Sequence, residues 1–372
     1  MNWPMIISGL GVGIVFGYTL QHGRFCMNTA FREVLLSRDF TVFRAYILGL
    51  LVLMVGANLL DQFGIMHLKS VPFTWLANVL GGYIFGIGMV LAGGCATGTL
   101  YRVGEGMVGS WFAAIGFLLT ASSTLSGVLR PVAKFLWFGP GFDPTNPATA
   151  KFAYLVTDEN GRLLPVTIAS VLHINRWLVI AVLAVPAIIF ISKGPFKKPE
   201  SQKGFIWWFS GIMIGLIGVV AFYASEVWGG YSKARGLSFS GPLNELAAWF
   251  TSSHTLAEVQ RTAAEGQVDV SGVIGRLGTL TWSVYMLVGI VLGSLFSAAS
   301  HKEFSWRAPK AQSLVTQFGG GLIMGFGATI AGGCNVGHGL TGLSTLALGS
   351  LVSIIFIILG SWTMVYFLFI RE

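Results

Sequence analysis

Nine apolar runs recur along the chain, each close to the length of about 20 residues that a helix needs to cross a hydrocarbon core of about 30 Å. They lie near 4–20, 45–61, 75–94, 107–127, 174–192, 204–224, 276–298, 315–333 and 347–369. None alternates apolar and polar residues as a barrel strand does, so they read as helices. Composition agrees, since 10 % of the 372 residues are charged against about 25 % in soluble domains. The first run has no basic segment before it and no small-residue cleavage site after it, and reads as a retained helix rather than a signal peptide. The fold class is therefore all-α, a polytopic membrane protein.

Lys and Arg collect in cytoplasmic loops, which sets orientation. Arg24, Arg32, Arg38 and Arg44 follow the first run, Lys193, Lys197, Lys198 and Lys203 the fifth, and Lys302, Arg307 and Lys310 the seventh; Arg102 falls on the same side. The short loop 62–73 on the other side holds Lys69 alone. This places the N-terminus in the periplasm and the C-terminus in the cytoplasm of a bacterial inner membrane. The formal net charge of +8 largely follows from the same bias, so membrane lipid is an expected partner and nucleic acid is not. Two long loops, 128–173 and 225–275, fall outside. Their turn-rich and amphipathic stretches, such as "PLNELAAWFTSSHTLAEVQRTAAEGQ", read as a surface cap or vestibule or, equally, as disordered segments, without a catalytic constellation.

Residues 81–98 and 320–337 are identical at ten of eighteen positions, including "AGGC" at 92–95 and 331–334. The two copies enter the membrane from opposite sides, which makes them an inverted repeat. The expected organisation is one transport domain over 1–372: a first repeat at 1–127, an outer loop and connector helix at 128–203, and a second repeat at 204–372. In that 4+1+4 arrangement, broken helices at mirrored positions point to a site near the midplane.

Residues 81–106 hold nine glycines and 319–342 hold ten, too many for undisturbed helices when each costs about 0.8–1.0 kcal/mol relative to Ala. Close helix packing accounts for Gly81, Gly82, Gly86 and Gly88. The pairs Gly93–Gly94 and Gly332–Gly333, each followed by a cysteine, suggest instead a half-helix ending in a turn that exposes backbone N–H groups and a thiol to a cavity. The third cysteine, Cys26, lies in "QHGRFCMNTAFREVL". An odd number of cysteines with no CxxC spacing argues against a dithiol redox enzyme or a purely disulfide role. Thiols are soft, weak donors suited to a ligand carrying sulfur, selenium or a soft metal. Thr97 and Asn335 are their expected hydrogen-bonding neighbours, and Arg24 and Arg102 could draw an anion inward.

Three stretches, "QHGRFCMNTAFRE", "GGYIFGIGMVLAGGCATGTLYRVGEG" and "GGGLIMGFGATIAGGCNVGHGLTG", resemble the YeeE/YedE-type sulfur-transport membrane proteins. The resemblance implies uptake of thiosulfate past one cysteine from each stretch, here Cys26, Cys95 and Cys334, by transient S–H to sulfur hydrogen bonds. It also implies a cytoplasmic sulfur-carrier protein of the TusA-like type as a partner; such a domain is not expected to be fused after "FLFIRE".

His338 four residues after Cys334 and His22 four before Cys26 are spacings usable for a metal, but no carboxylate cluster joins them, so neither a metal site nor a cofactor is expected. Glu105 is expected to pair with Arg102 or to cap the next helix. The rival to a non-enzymatic transporter is a membrane thiol oxidoreductase or sulfurtransferase acting covalently, which needs a thiolate beside a resolving thiol.

Overall fold

The structure, a computed structural model, describes residues 3–68, 73–141, 150–154, 156–157, 163–164, 166–194, 204–231, 233–251 and 280–371. Lys69, Lys197, Lys198 and Lys203, together with much of both long loops, lie outside the described residues. The apolar runs become the helices α1 (Trp3–His22), α3 (Thr41–Gln62), α4 (Trp75–Leu91), α6 (Val108–Leu125), α9 (Arg176–Ser192), α10 (Trp207–Val227), α12 (Trp282–Ser300), α13 (Ala311–Ala331) and α14 (Leu348–Val365). Among the described residues eight helical spans are long and apolar enough to cross a membrane; α9, the fifth of the nine expected, has 17 residues and carries Pro186 inside it. Between them lie shorter helices: α2 (Met27–Leu36), α5 (Ala96–Gly104), α7 (Arg130–Phe138), α8 (Ile168–Leu172), α11 (Ser240–Thr251) and a π-helical segment, Gly337–Gly342. Strand structure among the described residues is limited to two-residue pairs, such as Phe73–Thr74 with Ala153–Tyr154.

The helices associate as α1 with α12, α3 with α10, α4 with both α13 and α14, and α6 with α13. Without a hydrophobic drive inside lipid, such contacts depend on small residues that let backbones approach. A methyl group on Gly81 would fall 2.5 Å from the backbone nitrogen of Ala331, so α4 and α13 meet backbone to backbone there.

Contacts between chain ends define two faces. On one, Met107 bridges Arg307, and the Ser305 N–H donates to the Glu105 carbonyl. On the other, Leu68 bridges Ala234, Thr167 bridges Ala347, and His67 meets Glu226 at 2.9 Å. The chain breaks after α4 and α13 occur between these faces: Ala92 packs on Gly320 within α13, and Ala331 packs on Gly81 within α4.

Candidate functional site

Each cysteine opens a half-helix. Cys26 precedes α2 with extended backbone, and Cys95 precedes α5 in the same conformation while its Sγ accepts the Gly98 N–H at 3.3 Å. Cys334 begins the third, its carbonyl accepting the His338 N–H at 2.8 Å. The turns before Cys95 and Cys334 are made by Gly93 (φ +75°) and Gly332 (φ +78°). A Cβ is strained in that left-handed region, which gives a backbone reason for glycine at both repeat positions. The first free N–H groups of the half-helices start where the thiols stand.

The fold brings two of the three thiols together. Cys26 and Cys95, each 2 % exposed, place their Sγ atoms 4.0 Å apart, a sulfur-to-sulfur hydrogen-bonding distance and well beyond a disulfide bond. Gly98 makes this possible, since a methyl there would stand 2.7 Å from Cys26 Sγ and 3.4 Å from Cys95 Sγ. Cys334, 1 % exposed, lies in the other half-helix system, linked back through its neighbour: the Asn335 Nδ2 donates to Met89 Sδ at 3.1 Å, and Met89 sits in α4 just above the turn to Cys95.

Seven buried side-chain polar atoms lack a hydrogen-bond partner among the described residues. Four of them, Asn28 Oδ1, Thr97 Oγ1, Thr99 Oγ1 and Asn335 Oδ1, lie within four residues of a cysteine. Leaving such an atom unpaired costs about 1–3 kcal/mol. All four stand close to a thiol along the chain, where a ligand or an ordered water would satisfy them.

The two arginines are placed differently. Arg102 turns back to donate to the Gly93 carbonyl, clasping the turn before Cys95, and has no ion-pair partner among the described residues. Its charge stands at the thiol pair. Arg24 instead bridges two carboxylates, Glu105 at 2.9 Å and Glu303 at 2.7 Å. Gln21 donates to both, and Ser297 donates to the Gln21 Oε1. Glu105 therefore pairs with Arg24, not with Arg102 as expected, because the Arg102 side chain is committed to the turn carbonyl. Burial alone would raise the Glu303 carboxyl, but hydrogen bonds from Gln21 and Arg24 outweigh it and hold it below its usual range.

The histidines are engaged elsewhere. His338 meets the Ala331 carbonyl at 3.0 Å and the Ser350 hydroxyl at 3.1 Å, and His22 stacks on His301 with ring centroids 4.1 Å apart. Among the described residues no group of three His, Cys, Asp or Glu side chains is placed to hold a metal. Sequence reasoning missed Gln21, Asn28, Thr99, Met89 and Glu303. Gln21 and Asn28 stand in the same stretch as Cys26 and were legible there; Glu303 lies 282 positions from Gln21 and carried no signal.

The model of the sulphur transport family matches residues 22–363, which includes all three half-helices. This chain belongs to that family. Among its relatives are the thiosulfate transporter TsuA of Spirochaeta thermophila, 37 % identical over 369 residues covering 99 % of this chain and 100 % of that one. The thiosulfate transporter TsuA of Escherichia coli is 31 % identical over 386 residues, covering 99 % and 96 %. The probable transporter YedE of Escherichia coli matches over a shorter stretch, 33 % identical over 116 residues. The first two of these relatives are named as transporters of thiosulfate and the third as a probable transporter.

Proposed function

We propose that this chain takes up thiosulfate, or a closely related soft sulfur-containing anion, across the bacterial inner membrane along a central path past Cys334, Cys95 and Cys26. The observation that carries the reading is the 4.0 Å approach of Cys26 and Cys95 at facing half-helix ends, with Arg102 and the unpaired Thr97 and Asn335 atoms around the thiols. A dianion entering hydrocarbon must exchange its water for fixed donors that hold it weakly enough to let go. Thiols, hydroxyls and the Gly94 N–H are such donors; the N–H groups of Gly93, Gly332 and Gly333, expected as further donors, instead close the turns onto the Val90, Thr329 and Ala328 carbonyls. A terminal sulfur finds a polarisable partner at each thiol, which sulfate with its four hard oxygens does not exploit. The near full-length likeness to two proteins named as thiosulfate transporters supports this substrate.

The basic face around Arg24 is proposed as cytoplasmic, with a sulfur-carrier protein of the TusA-like type receiving the sulfur there. The division into repeats at 1–127 and 204–372 is supported by the contact pattern: exchanging α1 with α10, α3 with α12, α4 with α13 and α6 with α14 turns the α1–α12 contact into α10–α3 and the α4–α14 contact into α13–α6.

Purified protein in sealed vesicles, given radiolabelled thiosulfate, is expected to accumulate intact thiosulfate. Cys26→Ser, Cys95→Ser and Cys334→Ser are each expected to lower uptake about tenfold or more, the loss of roughly 1.4 kcal/mol of contact at a rate-setting step. The close thiol pair also favours a second reading, covalent sulfur chemistry in which one thiol resolves an adduct on the other. Recovery of sulfite or sulfide in place of intact thiosulfate would support that reading over transport.

A further inference from the structure

The helix between the two proposed repeats, α9, runs alongside α3 and is fastened differently at its two ends. At its first turn Arg176 pairs with Asp61, and the Trp177 indole donates to Gln62 Oε1 at 2.6 Å, so an ion pair and a hydrogen bond join it to the end of α3. At the opposite end the cation is present and the anion is not. Arg44, in the first turn of α3, lies between the Phe40 and Phe190 rings, its guanidinium carbon 6.0 and 5.2 Å from their centroids. It has no carboxylate partner among the described residues, and its Nε is sealed from solvent without an acceptor.

Arg44 is fixed in place. A methyl group on Gly194 would fall 2.8 Å from its Cδ and 3.2 Å from its Nε, so the backbone just past α9 lies on the arginine stem. Phe40 and Phe190 meet edge to face at 5.8 Å and close it from the other side. A guanidinium held by aromatic faces keeps its planar fork pre-set, and that fork matches the oxygens of a phosphate. Two further features favour negative charge here: α3 begins at Thr41, and Lys193, exposed and without a carboxylate partner among the described residues, offsets the C-terminus of α9. Asp39, close by in sequence, accepts the Thr41 N–H at 2.8 Å.

Beside this cation runs an apolar stripe. Leu178, Val182, Val185 and Ile189 follow one face of α9 at helical spacing, and each is more than half exposed. The stripe ends one turn before Lys193, so an anion suited to this place carries apolar chains. We propose that Arg44 and Lys193 hold the phosphate of an anionic phospholipid at the junction of α3 and α9, with its acyl chains along that stripe. Basic pockets between membrane helices bind anionic headgroups on the cytoplasmic side, which is the side proposed for this face. The lipid supplies at this end of α9 the anion that Asp61 supplies at the other. The site lies apart from the cysteine path and does not depend on the transport reading.

The test uses the full chain, purified in detergent, stripped of lipid and titrated with phosphatidylglycerol, with bound lipid counted by native mass spectrometry. Phosphatidylglycerol is expected to fill one site about fivefold more tightly than phosphatidylethanolamine. Arg44→Gln is expected to weaken that binding about tenfold, as for loss of a bidentate charged contact, and Lys193→Gln about fivefold, the weight of one cation near an anionic surface. Lys302→Gln, past the end of α12 on the same face, is expected to leave it within about twofold, and inorganic phosphate is expected not to displace the lipid. Lys193 is exposed and its replacement removes no packing, so it decides the matter if Arg44→Gln does not fold. Unchanged binding in Arg44→Gln or Lys193→Gln, an equal loss in Lys302→Gln, no preference over phosphatidylethanolamine, or displacement by inorganic phosphate each overturns the lipid site.

Discussion

Gly98 and Gly337 show how single residues separate packing from transport. Both lie in helical backbone, where alanine would gain up to about 1 kcal/mol of helix propensity. At Gly98 that gain meets a contact of 2.7 Å with Cys26 Sγ, so Gly98→Ala is expected to force the two thiols apart, cancel the stability gain and reduce thiosulfate uptake by an order of magnitude. At Gly337 the nearest atoms are 3.8 Å away, and Gly337→Ala is expected to keep or slightly raise thermal stability while blocking uptake. A melting curve and an uptake assay on the same preparation read both effects; a Gly337→Ala protein that transports normally would remove that space from the path. The three cysteines and their neighbours Thr97 and Asn335 are legible as a candidate site because thiols are scarce in this chain and two of them sit in matching motifs. Met89 and Thr99 were not, because a methionine or threonine in an apolar run is indistinguishable from core until its partners are known.

Helices were legible where their pattern repeats and illegible where they stop for local reasons. All nine apolar runs are helical, but the break at 23–26, which sets Cys26, falls after a run and is made by Arg24 at φ +51°, a non-glycine in the left-handed region. What holds that break is the cluster of Gln21, Arg24, Glu105 and Glu303 joining the ends of α1, α5 and α12. The Glu303 carboxyl is lowered in the folded protein: burial opposes its charge, and bonds from Gln21 and Arg24 overcome that opposition. A group lowered on folding contributes stability that is full above its ordinary carboxylate range and is lost as pH falls through the lowered value. Thermal stability is thus expected to fall on acidification below the usual carboxylate range, with Glu303→Gln losing part of that dependence. The pair is partly exposed, so about 0.2–1 kcal/mol is at stake. Equal acid dependence in both proteins would show that Glu303 does not hold the break.

At the scale of the whole molecule, the proposed inverted repeat accounts for the matched helix contacts, and it leaves open which of the two faces meets the cytoplasm. The count of short-loop cations is the ground for the proposed orientation, and the fold shows which of those cations are paired. On the face carrying Met107 and Arg307, Arg24 and Arg32 pair with carboxylates, Arg38, Lys302, Arg307 and Lys310 have no carboxylate partner among the described residues, and Arg44 stacks over Phe190 at 5.2 Å. On the opposite face Arg176 pairs with Asp61, and Arg235 with Glu245 at 3.8 Å. The short loops of the first face hold the excess of cations, so that face is proposed as the cytoplasmic one. The three native cysteines are buried and give no background, which makes substituted cysteines a clean probe. Ser37→Cys and Lys310→Cys on the first face, and Phe63→Cys and Leu172→Cys on the second, all replace exposed residues. In intact cells an impermeant maleimide is expected to label only the Phe63→Cys and Leu172→Cys proteins, and permeabilisation to expose the other two; labelling of Ser37→Cys and Lys310→Cys in intact cells would reverse the orientation.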